Sequence, residues 1–450
     1  MFRRKVYDYM LKWKNEKNHK PLIIKGLRQI GKSTIVEKFA NENYKSVIML
    51  DFRKNVSLHD VFEGDFNIDD IMFQITAKMK KVKLIPNETV IIMDEIQDCP
   101  NARSSLKYFC LDGRYDVICT GSLLGIKGFR KSKKKTRGIP VGFEEQYEMK
   151  PMDFEEFLWA NDINETVIEK MKECLNERKQ IPEFIHNMMT DLFKKYICIG
   201  GMPEVVLKYV ETKDYNKARE IQKRIISDYE SDFGTHLNDD LDIDIDIFAK
   251  TRISDTFHSI PKQLSKDNKK FQYSVISKNA KGREYKDSID WLEDYGLVNR
   301  CYNLSALEMP FDSFAQIDNF KIYMADTGLY VAMLDDDAPS HIIDGDYNIG
   351  KGAIYENIAA DMFSKINKKM YFFQKSSGLE IDFITSLNKK VCLVEVKATN
   401  GNTKSSKSIL DNYDKYKVEQ LVKISSQNIR YLNNKLNIPH YLAFLVFAVK

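Results

Sequence analysis

The chain has 450 residues, which is more than one ordinary hydrophobic core accommodates and predicts about three domains. Hydrophobic residues make up 43% and charged residues 30% of the sequence, a composition that excludes an intrinsically disordered chain. A net charge of only +4, seven scattered cysteines without a Cys-x-x-Cys pair, and no apolar run of membrane-spanning length favour a soluble cytoplasmic protein without disulfides, structural zinc or a membrane partner.

Residues 1–150 alternate short apolar runs with helical patterns. An amphipathic helix is predicted near the N-terminus, where Val6, Met10 and Trp13 share one face. Runs of strand length follow at Leu22–Lys25, Ser46–Phe52, Thr89–Met93 and Asp116–Cys119. Buried strands separated by helices are typical of a parallel sheet with crossover helices, so the sequence predicts an α/β domain.

A glycine-rich motif joins the first predicted strand to the following helix. Gly26, Gly31, Lys32 and Ser33 satisfy the pattern G-x-x-x-x-G-K-[ST], and Thr34 extends it. Glycines allow backbone N–H groups to curl around phosphate oxygens at the start of a helix, while the lysine neutralises the phosphates and the serine hydroxyl binds Mg²⁺. The sequence therefore predicts that these five residues bind ATP, that Lys32 also acts in catalysis, and that Ser33 is a metal ligand.

A second motif, VIIMDEIQD, supplies two carboxylates. Its apolar residues predict a buried strand that carries Asp94 to the carboxyl end, where a carboxylate can hold Mg²⁺ and Glu95 can polarise the attacking water. A later strand ends in Thr120 and Ser122, whose hydroxyls lie near the γ-phosphate if this strand neighbours that of Asp94. Ser122 is then either a nucleotide sensor or an ordinary strand-end cap.

The remaining sequence divides into three further predicted domains. Helical patterns dominate residues 151–244, which we assign to a helical lid. Residues 245–335 place helical patterns before two strand-like segments, which is the order of a winged helix. Residues 336–450 begin with a helix and continue with the strand runs MYFFQ, IDFITS and KVCLVEVKA, which predict another α/β unit.

Several motifs carry a family resemblance that spans nearly the whole chain. GLRQIGKST, MDEIQ, TGSLLG, KYICIGGMPEVV and FKIYMADTGLY resemble segments of the bacterial and archaeal AAA-type ATPases that carry a C-terminal domain of unknown function. The resemblance implies a P-loop AAA-like core, a helical lid, a winged helix and a C-terminal restriction-nuclease-like domain. Such ATPases complete hydrolysis with an arginine finger from a neighbouring subunit, so it also implies a homo-oligomer or protein partner. Arg114, Arg130 and Arg137 are the candidate fingers.

The last domain contains carboxylates and a lysine in an order that resembles the PD-(D/E)XK nucleases. Asp382 lies at the edge of an apolar strand, and Glu395 and Lys397 alternate along the next strand, so that they share a face. Because carboxylates hold Mg²⁺ and a lysine can orient water, we expect these three residues to be catalytic. Glu356 is expected to join the two acids as a metal ligand, and Glu380 is a further candidate. A nuclease-like fold used only for binding is the alternative.

DNA is a further candidate partner. The predicted winged helix offers cations for phosphates at Lys262, Lys266, Lys269, Lys270, Lys281 and Arg283. Its later helix is acidic on the outer face, which repels phosphate, and winged helices also dock proteins. Charge runs at 127–137 and 239–246 are predicted to be solvated loops.

Two functions are consistent with these features. The first is a Mg²⁺-dependent ATPase that couples ATP hydrolysis to a DNA-acting, nuclease-like domain. The second is an ATP-gated protein-interaction switch whose nuclease-like domain cuts nothing. Mg²⁺-dependent nicking and salt-dependent DNA binding separate the two.

Overall fold

The computed structural model describes residues 1–79, 82–123, 138, 140–234, 243–345 and 351–447. Two compact units divide the chain. Unit 1 contains residues 1–150, 234–247 and 294–296, and unit 2 contains residues 151–233, 248–293 and 297–450. The predicted charge run at 127–137 and residues 239–242 of the run at 239–246 lie outside the described residues, whereas residues 243–246 lie in a helix and not in the predicted loop. Within the described ranges, every helix is too short or too polar to cross a membrane.

Unit 1 is built on a five-stranded sheet in which every neighbouring pair of strands is parallel. Its strands are β1 Leu22–Gly26, β2 Ser46–Asp51, β3 Thr89–Asp94, β4 Asp116–Ser122 and β5 Glu145–Met149, in the order β2-β3-β4-β1-β5. Its helices include α1 Lys5–Asn15, α2 Lys32–Asn43, α3 Ile68–Lys78 and α4 Pro100–Asp112. The predicted α/β class with a parallel core is confirmed.

The position of β3 in this sheet follows from its sequence. All six of its residues are buried, as expected for an interior strand of a parallel sheet covered by helices. Ile91 and Met93 pack in one core cluster with Ile48 of β2 and Ile71 of α3. Because the pleat alternates side chains between the two faces, only a strand apolar on both faces fits here.

Unit 2 contains a second, mixed sheet. The helices that lie between residues 151 and 345 are α5 Phe154–Ala160, α6 Glu165–Asn176, α7 Glu183–Ile199, α8 Pro203–Thr212, α9 Tyr215–Asp232, α10 Ile243–Leu264, α11 Tyr273–Ile276, α12 Gly282–Tyr295, α13 Thr327–Ala332 and α14 Ala338–Asp344. The later helices are α15 Lys351–Lys365, α16 Lys404–Asp411, α17 Tyr413–Tyr416 and α18 Ala443–Val446. The strands are β6 Val298–Leu304, β7 Ala315–Met324, β8 Met370–Gln374, β9 Glu380–Leu387, β10 Lys390–Val396, β11 Gln420–Ser425, β12 Arg430–Leu432 and β13 Lys435–Pro439.

The sheet of unit 2 has eight strands in the order β12-β13-β11-β10-β9-β8-β6-β7. The antiparallel hairpin of β6 and β7 is joined to the C-terminal strands through a parallel pairing of β6 with β8. The eight-stranded sheet therefore contains strands from both sides of the domain boundary predicted at residue 335. Cys301 and Leu304 of β6 are buried, and β6 lies between β8 and β7 in the sheet. The helical-lid, winged-helix and nuclease-like assignments stay predictions.

Two of the resembling motifs meet inside unit 2. The Asp326 carboxylate accepts a hydrogen bond from the backbone N–H of Gly201 at 2.7 Å and another from Leu329 at 3.0 Å, which caps α13. A Cβ atom on Gly201 would lie 2.0 Å from the carbonyl oxygen of Met152, so only glycine fits there. The segments KYICIGGMPEVV and FKIYMADTGLY thus have a structural role in the core of unit 2.

Candidate nucleotide site and carboxylate–lysine cluster

The glycine-rich loop of unit 1 connects β1 to α2 at the carboxyl edge of the sheet. Gln29 and Gly31 have φ angles of 63° and 82°, in the left-handed region. Gly26 lies against the edge strand β5, and a Cβ atom there would be 2.4 Å from the carbonyl oxygen of Met149. The loop therefore depends on glycine for a close backbone approach and for a positive φ angle.

Lys32 is the first residue of α2 and is only 7% exposed. Its Nζ atom donates hydrogen bonds to the carbonyl oxygens of Gly26 at 3.0 Å and Leu27 at 2.9 Å. Burial lowers the pKa of Lys32 to about 8, although the carboxylates of Glu95 and Asp94 act in the opposite direction. Within the described parts of the chain, no carboxylate lies within ion-pair distance of this ammonium group.

Asp94 is the point at which three elements of unit 1 meet. The Ser33 hydroxyl at the start of α2 donates to its Oδ1 atom at 2.6 Å, and the Thr120 hydroxyl of β4 donates to the same oxygen. Strand β4 pairs with β3, as the prediction for the strand-end hydroxyls required, and of these hydroxyls that of Thr120 contacts Asp94. The structure thus brings Ser33 and Asp94 together. Their hydroxyl and carboxylate oxygens are ligands of the kind that Mg²⁺ prefers.

Glu95 follows β3 in the left-handed conformation, with φ of 53°. Its carboxylate accepts a hydrogen bond from the Gln97 side chain and lies 3.7 Å from the Arg53 guanidinium. Arg53 also donates to Asp98 at 3.1 Å. Sequence reasoning missed Arg53; its position just beyond β2, the neighbour of β3, is the signal that could have found it. It also left Thr120 without a specific partner.

The other predicted residues of unit 1 fall as follows. Thr34 is exposed in the first turn of α2. Ser122 is buried at the end of β4, opposite Gly26 in the strand register. Arg114, a candidate arginine finger, forms ion pairs with Asp112 and Asp69, both at 2.7 Å. Arg130 and Arg137 lie outside the described residues.

Unit 2 contains a cluster of carboxylates and lysines on and beside its sheet. We call it the carboxylate–lysine cluster. Its carboxylates are Glu356, Glu380, Asp382 and Glu395, and its lysines are Lys269, Lys321 and Lys397. The predicted trio of Asp382, Glu395 and Lys397 therefore does come together. Glu356 and Glu380 are paired instead with Lys269 and Lys321, which the prediction did not assign to a metal-binding or catalytic role.

The trio is held by short contacts at the ends of β9 and β10. The Lys397 Nζ atom lies 3.0 Å from Asp382 and 2.7 Å from Glu395. The same Asp382 oxygen accepts the backbone N–H of Val396 at 2.7 Å, and the second Glu395 oxygen accepts the Ser406 hydroxyl. One Asp382 oxygen and both Glu395 oxygens are thus already occupied by partners within the chain.

Glu356 on α15 is neutralised from two sides. Lys269 contacts one of its carboxylate oxygens, while Lys321 lies 3.7 Å from the other, which also accepts the Tyr323 hydroxyl at 3.1 Å. Lys321 is fully buried and lies 2.8 Å from Glu380. Burial acts to raise the pKa of the Glu356 carboxyl, but the charges of Lys321 and Lys269 outweigh it and lower that pKa.

The pKa of the Asp382 carboxyl is shifted in the opposite direction from that of Glu356. Burial, reinforced by the negative charge of Glu356, raises the pKa of Asp382 to about 7, against the effect of Lys397. For Lys397 burial acts to lower the pKa, yet Asp382 and Glu395 hold it above its usual value. The lysine therefore stays protonated at neutral pH, and an ammonium group of this kind donates hydrogen bonds but cannot accept a proton.

The carboxylate–lysine cluster does not fit Mg²⁺ in the observed arrangement. The sequence predicted three metal ligands in this cluster, Asp382, Glu395 and Glu356. Each of these carboxylates forms an ion pair with a lysine. No group of three or more His, Cys, Asp or Glu side chains is arranged to hold a metal ion in the part of the chain that the structure describes. Metal binding by these residues stays a prediction from sequence.

The predicted DNA-binding cations are partly engaged in internal contacts. Lys269 contacts Glu356, and Lys266 donates to the Gln272 side chain at 3.0 Å. Lys281 and Arg283, by contrast, are exposed near the start of α12. Two of the predicted DNA-binding cations are thus held by contacts within unit 2, and two others are exposed.

Comparison with protein-family models divides the chain into three matched regions. Residues 18–158 match the AAA domain, residues 190–340 match a domain of unknown function (DUF8612), and residues 351–441 match another domain of unknown function (DUF4143). No curated protein has a significant match to this chain. The AAA match and the P-loop geometry support an AAA-type ATPase domain in unit 1. Nuclease-like and winged-helix parts remain predictions.

Solved structures that are similar to this chain share little sequence with it. The Holliday junction branch migration motor RuvB of Thermotoga maritima is 11% identical, with 66% of this chain and 90% of that chain covered and a TM-score of 0.30. The Pif1 helicase from Bacteroides, in complex with ADP-AlF3 and single-stranded DNA, is 12% identical (42% and 50% covered, TM-score 0.22). C. elegans PCH-2 is 12% identical (49% and 68% covered, TM-score 0.26). At these scores the likenesses establish neither function nor domain arrangement.

Proposed function

We propose that this chain is a Mg²⁺-dependent ATPase whose ATP hydrolysis controls the engagement of DNA by unit 2. The observation that carries the ATPase part is the buried Lys32 ammonium at the start of a helix. It has carbonyl partners and, in the described chain, no carboxylate at ion-pair distance. A buried cation beside the positive end of a helix favours an anion of the size and charge of a nucleotide phosphate.

The proposed division of labour in unit 1 follows from the contacts. Lys32 and the backbone N–H groups of the loop bind the phosphates, and Ser33 and Asp94 hold Mg²⁺, which would supply positive charge opposite the transferred phosphoryl group. Thr120 keeps the Asp94 carboxylate in place through its hydrogen bond. Glu95 accepts a proton from the attacking water, because its carboxylate is the acceptor next along the chain from Asp94.

Two observations bear on what unit 2 does to DNA. The convergence of Asp382, Glu395 and Lys397 supports a cutting site, as in the nucleases that the sequence resembles. The lysines against each carboxylate oppose a cutting role, because a metal ion would have to displace Lys269 from Glu356 and Lys397 from its two acids. We infer that unit 2 binds DNA and that the cluster stabilises its sheet.

The test of the proposed function is ATP turnover by the pure chain, measured with and without Mg²⁺ and with duplex, nicked or single-stranded DNA. We expect turnover to require Mg²⁺ and to rise when DNA is added. Absence of turnover under every condition contradicts the ATPase part, and turnover that no DNA changes contradicts the coupling to DNA.

A further inference from the structure

The C-terminal part of unit 2 has an unusual distribution of charge. No Asp or Glu occurs from residue 420 to residue 450, whereas Lys423, Arg430, Lys435 and Lys450 do. The segment from residue 397 to residue 410, which contains the start of α16, also lacks acids and has three lysines. In a chain whose total charge is only +4, this is a local concentration of positive charge.

Three of these cations line one pocket of about 210 Å³, together with Leu421, Leu432 and Asn437. The strand register places them on one face of the sheet, because paired residues in adjacent strands point to the same side. Leu421 of β11 pairs with Lys435 of β13, Lys435 pairs with Leu432 of β12, and Arg430 pairs with Asn437. The pocket is therefore a continuous surface over three neighbouring strands.

The cations of this pocket are not neutralised by carboxylates. The Lys423 Nζ atom donates to the Asn400 side chain at 2.8 Å, and Arg430 and Lys435 form no ion pair within the described ranges. Burial and the nearby Lys397 lower the pKa of Lys423, although the Glu395 carboxylate on the neighbouring strand acts in the opposite direction. None of the described residues that line the pocket is acidic. The pocket is therefore positively charged, and a bound anion would neutralise this charge.

The same face leads to the carboxylate–lysine cluster. Lys423 pairs with Glu395 of β10 in the parallel register. Strands lie ~4.8 Å apart, so β13 runs about 10 Å from the strand that carries Glu395. A chain of phosphates lying across β11 and β13 would therefore run toward Glu395 and Lys397.

We propose that this face of β11, β13 and β12, with Lys423, Arg430 and Lys435, binds the sugar–phosphate backbone of a nucleic acid. Three cations in a small pocket match phosphate groups, and the exposed Leu432 side chain gives the apolar contact that a sugar ring accepts. An acidic protein surface fits less well, because its carboxylates would be spread over a larger and flatter area. The inference rests on the proposed DNA-binding role of unit 2 and names the surface that performs it.

The experiment measures binding of the full chain to fluorescent 20-nucleotide single-stranded and duplex DNA, by anisotropy over a series of salt concentrations. The double variant Arg430→Glu/Lys435→Glu should weaken binding at least about tenfold and lower the slope of log affinity against log salt by about two. The matched control is Lys213→Glu/Lys217→Glu, which changes the net charge equally at two exposed lysines of unit 2 outside the pocket and should bind like the wild type. Arg430→Gln/Lys435→Gln replaces the first variant if that variant does not fold.

Three results would overturn the inference: wild-type affinity in the pocket variants, an equal or larger loss in the Lys213→Glu/Lys217→Glu control, or no binding by the wild type at any salt concentration. ATP turnover of each variant is measured in parallel. Lost DNA binding with intact turnover is the expected pattern, whereas a chain that binds DNA through the pocket but never hydrolyses ATP contradicts only the ATPase proposal.

Discussion

At the scale of single residues, Asp94 links the nucleotide loop to the rest of unit 1. One of its carboxylate oxygens accepts hydroxyls from both Ser33 and Thr120. Such a shared acceptor fixes the orientation of the carboxylate before a ligand arrives, which lowers the cost of ordering it on binding. Glu95, one residue farther on, is held instead by Gln97 and Arg53. Asp94 and Glu95 are therefore held in place by different side chains.

We predict that Glu95→Gln separates nucleotide binding from hydrolysis. The amide keeps the size of the side chain but accepts a proton poorly, so turnover should fall about 10²- to 10⁴-fold while the affinity for ATP is retained. Steady-state hydrolysis and equilibrium binding of a fluorescent ATP analogue give the two quantities. Turnover at the wild-type rate would remove Glu95 from this role and direct attention to Asp98.

We predict that His440 makes unit 2 sensitive to acid. Its ring is buried, its Nε2 atom lies 2.9 Å from the carbonyl oxygen of Lys397, and burial lowers its pKa to about 4. An unfolded histidine has a pKa of about 6.5, so between these values only the unfolded chain takes up the proton and stability falls as the pH falls. At pH 5 the loss is about 2 kcal/mol.

The measurement compares melting temperatures of the wild type and His440→Gln at pH 7 and pH 5. The variant lacks the titrating ring, while the other acids titrate in both proteins, so the advantage of the wild type at pH 7 should shrink at pH 5. A difference in melting temperature that is independent of pH would show that His440 does not titrate in this way.

The sequence predicted the functional residues that belong to a recognisable motif. It did not predict the residues whose role depends on contacts with segments distant in sequence. The glycine-rich loop and Asp94 follow from spacing along the chain. Arg53 and Lys269 do not, because they reach Glu95 and Glu356 from segments that are distant in sequence. A lysine in a polar run carries no signal of the carboxylate that it will meet.

At the scale of elements, β1 and β5 depend on a close backbone approach at Gly26. We predict that Gly26→Ala destabilises the protein by about 1–3 kcal/mol and weakens ATP binding, because the added Cβ atom meets the backbone of β5 and the side chain of Ile30. Gly64→Ala is the control, since no atom lies within 4 Å of its added Cβ atom. Equal melting temperatures for the two variants would contradict the prediction.

The strands differ in how well they can be predicted from their sequences. Strand β3 is apolar at almost every position and was predicted, because its burial on both faces requires this pattern. Strand β5, with the sequence EQYEM, buries only Met149, and β12 buries none of its residues. Edge strands with mostly polar residues are stabilised by backbone pairing, which leaves no periodic apolar signal in the sequence.

At the scale of the whole molecule, the chain combines a parallel-sheet unit with a mixed-sheet unit. We predict that Mg²⁺ or Mn²⁺ does not support nicking of plasmid DNA by the wild type above the level seen with Asp382→Ala or Lys397→Ala, with or without ATP. The physical reason is that lysines neutralise the carboxylates that a metal ion would need. Wild-type nicking that both substitutions abolish would contradict this and establish an active nuclease, and ATP turnover should persist in both variants.

The central claim is that unit 1 binds and hydrolyses ATP through Lys32. Its most direct test is ATP affinity and Mg²⁺-dependent turnover of the wild type and Lys32→Ala, with melting temperature as the check on folding. Removing the buried charge should lower ATP affinity about 100-fold or more and abolish turnover, because several charged hydrogen bonds to the phosphates are lost. A folded Lys32→Ala variant that binds and hydrolyses ATP like the wild type would contradict the account.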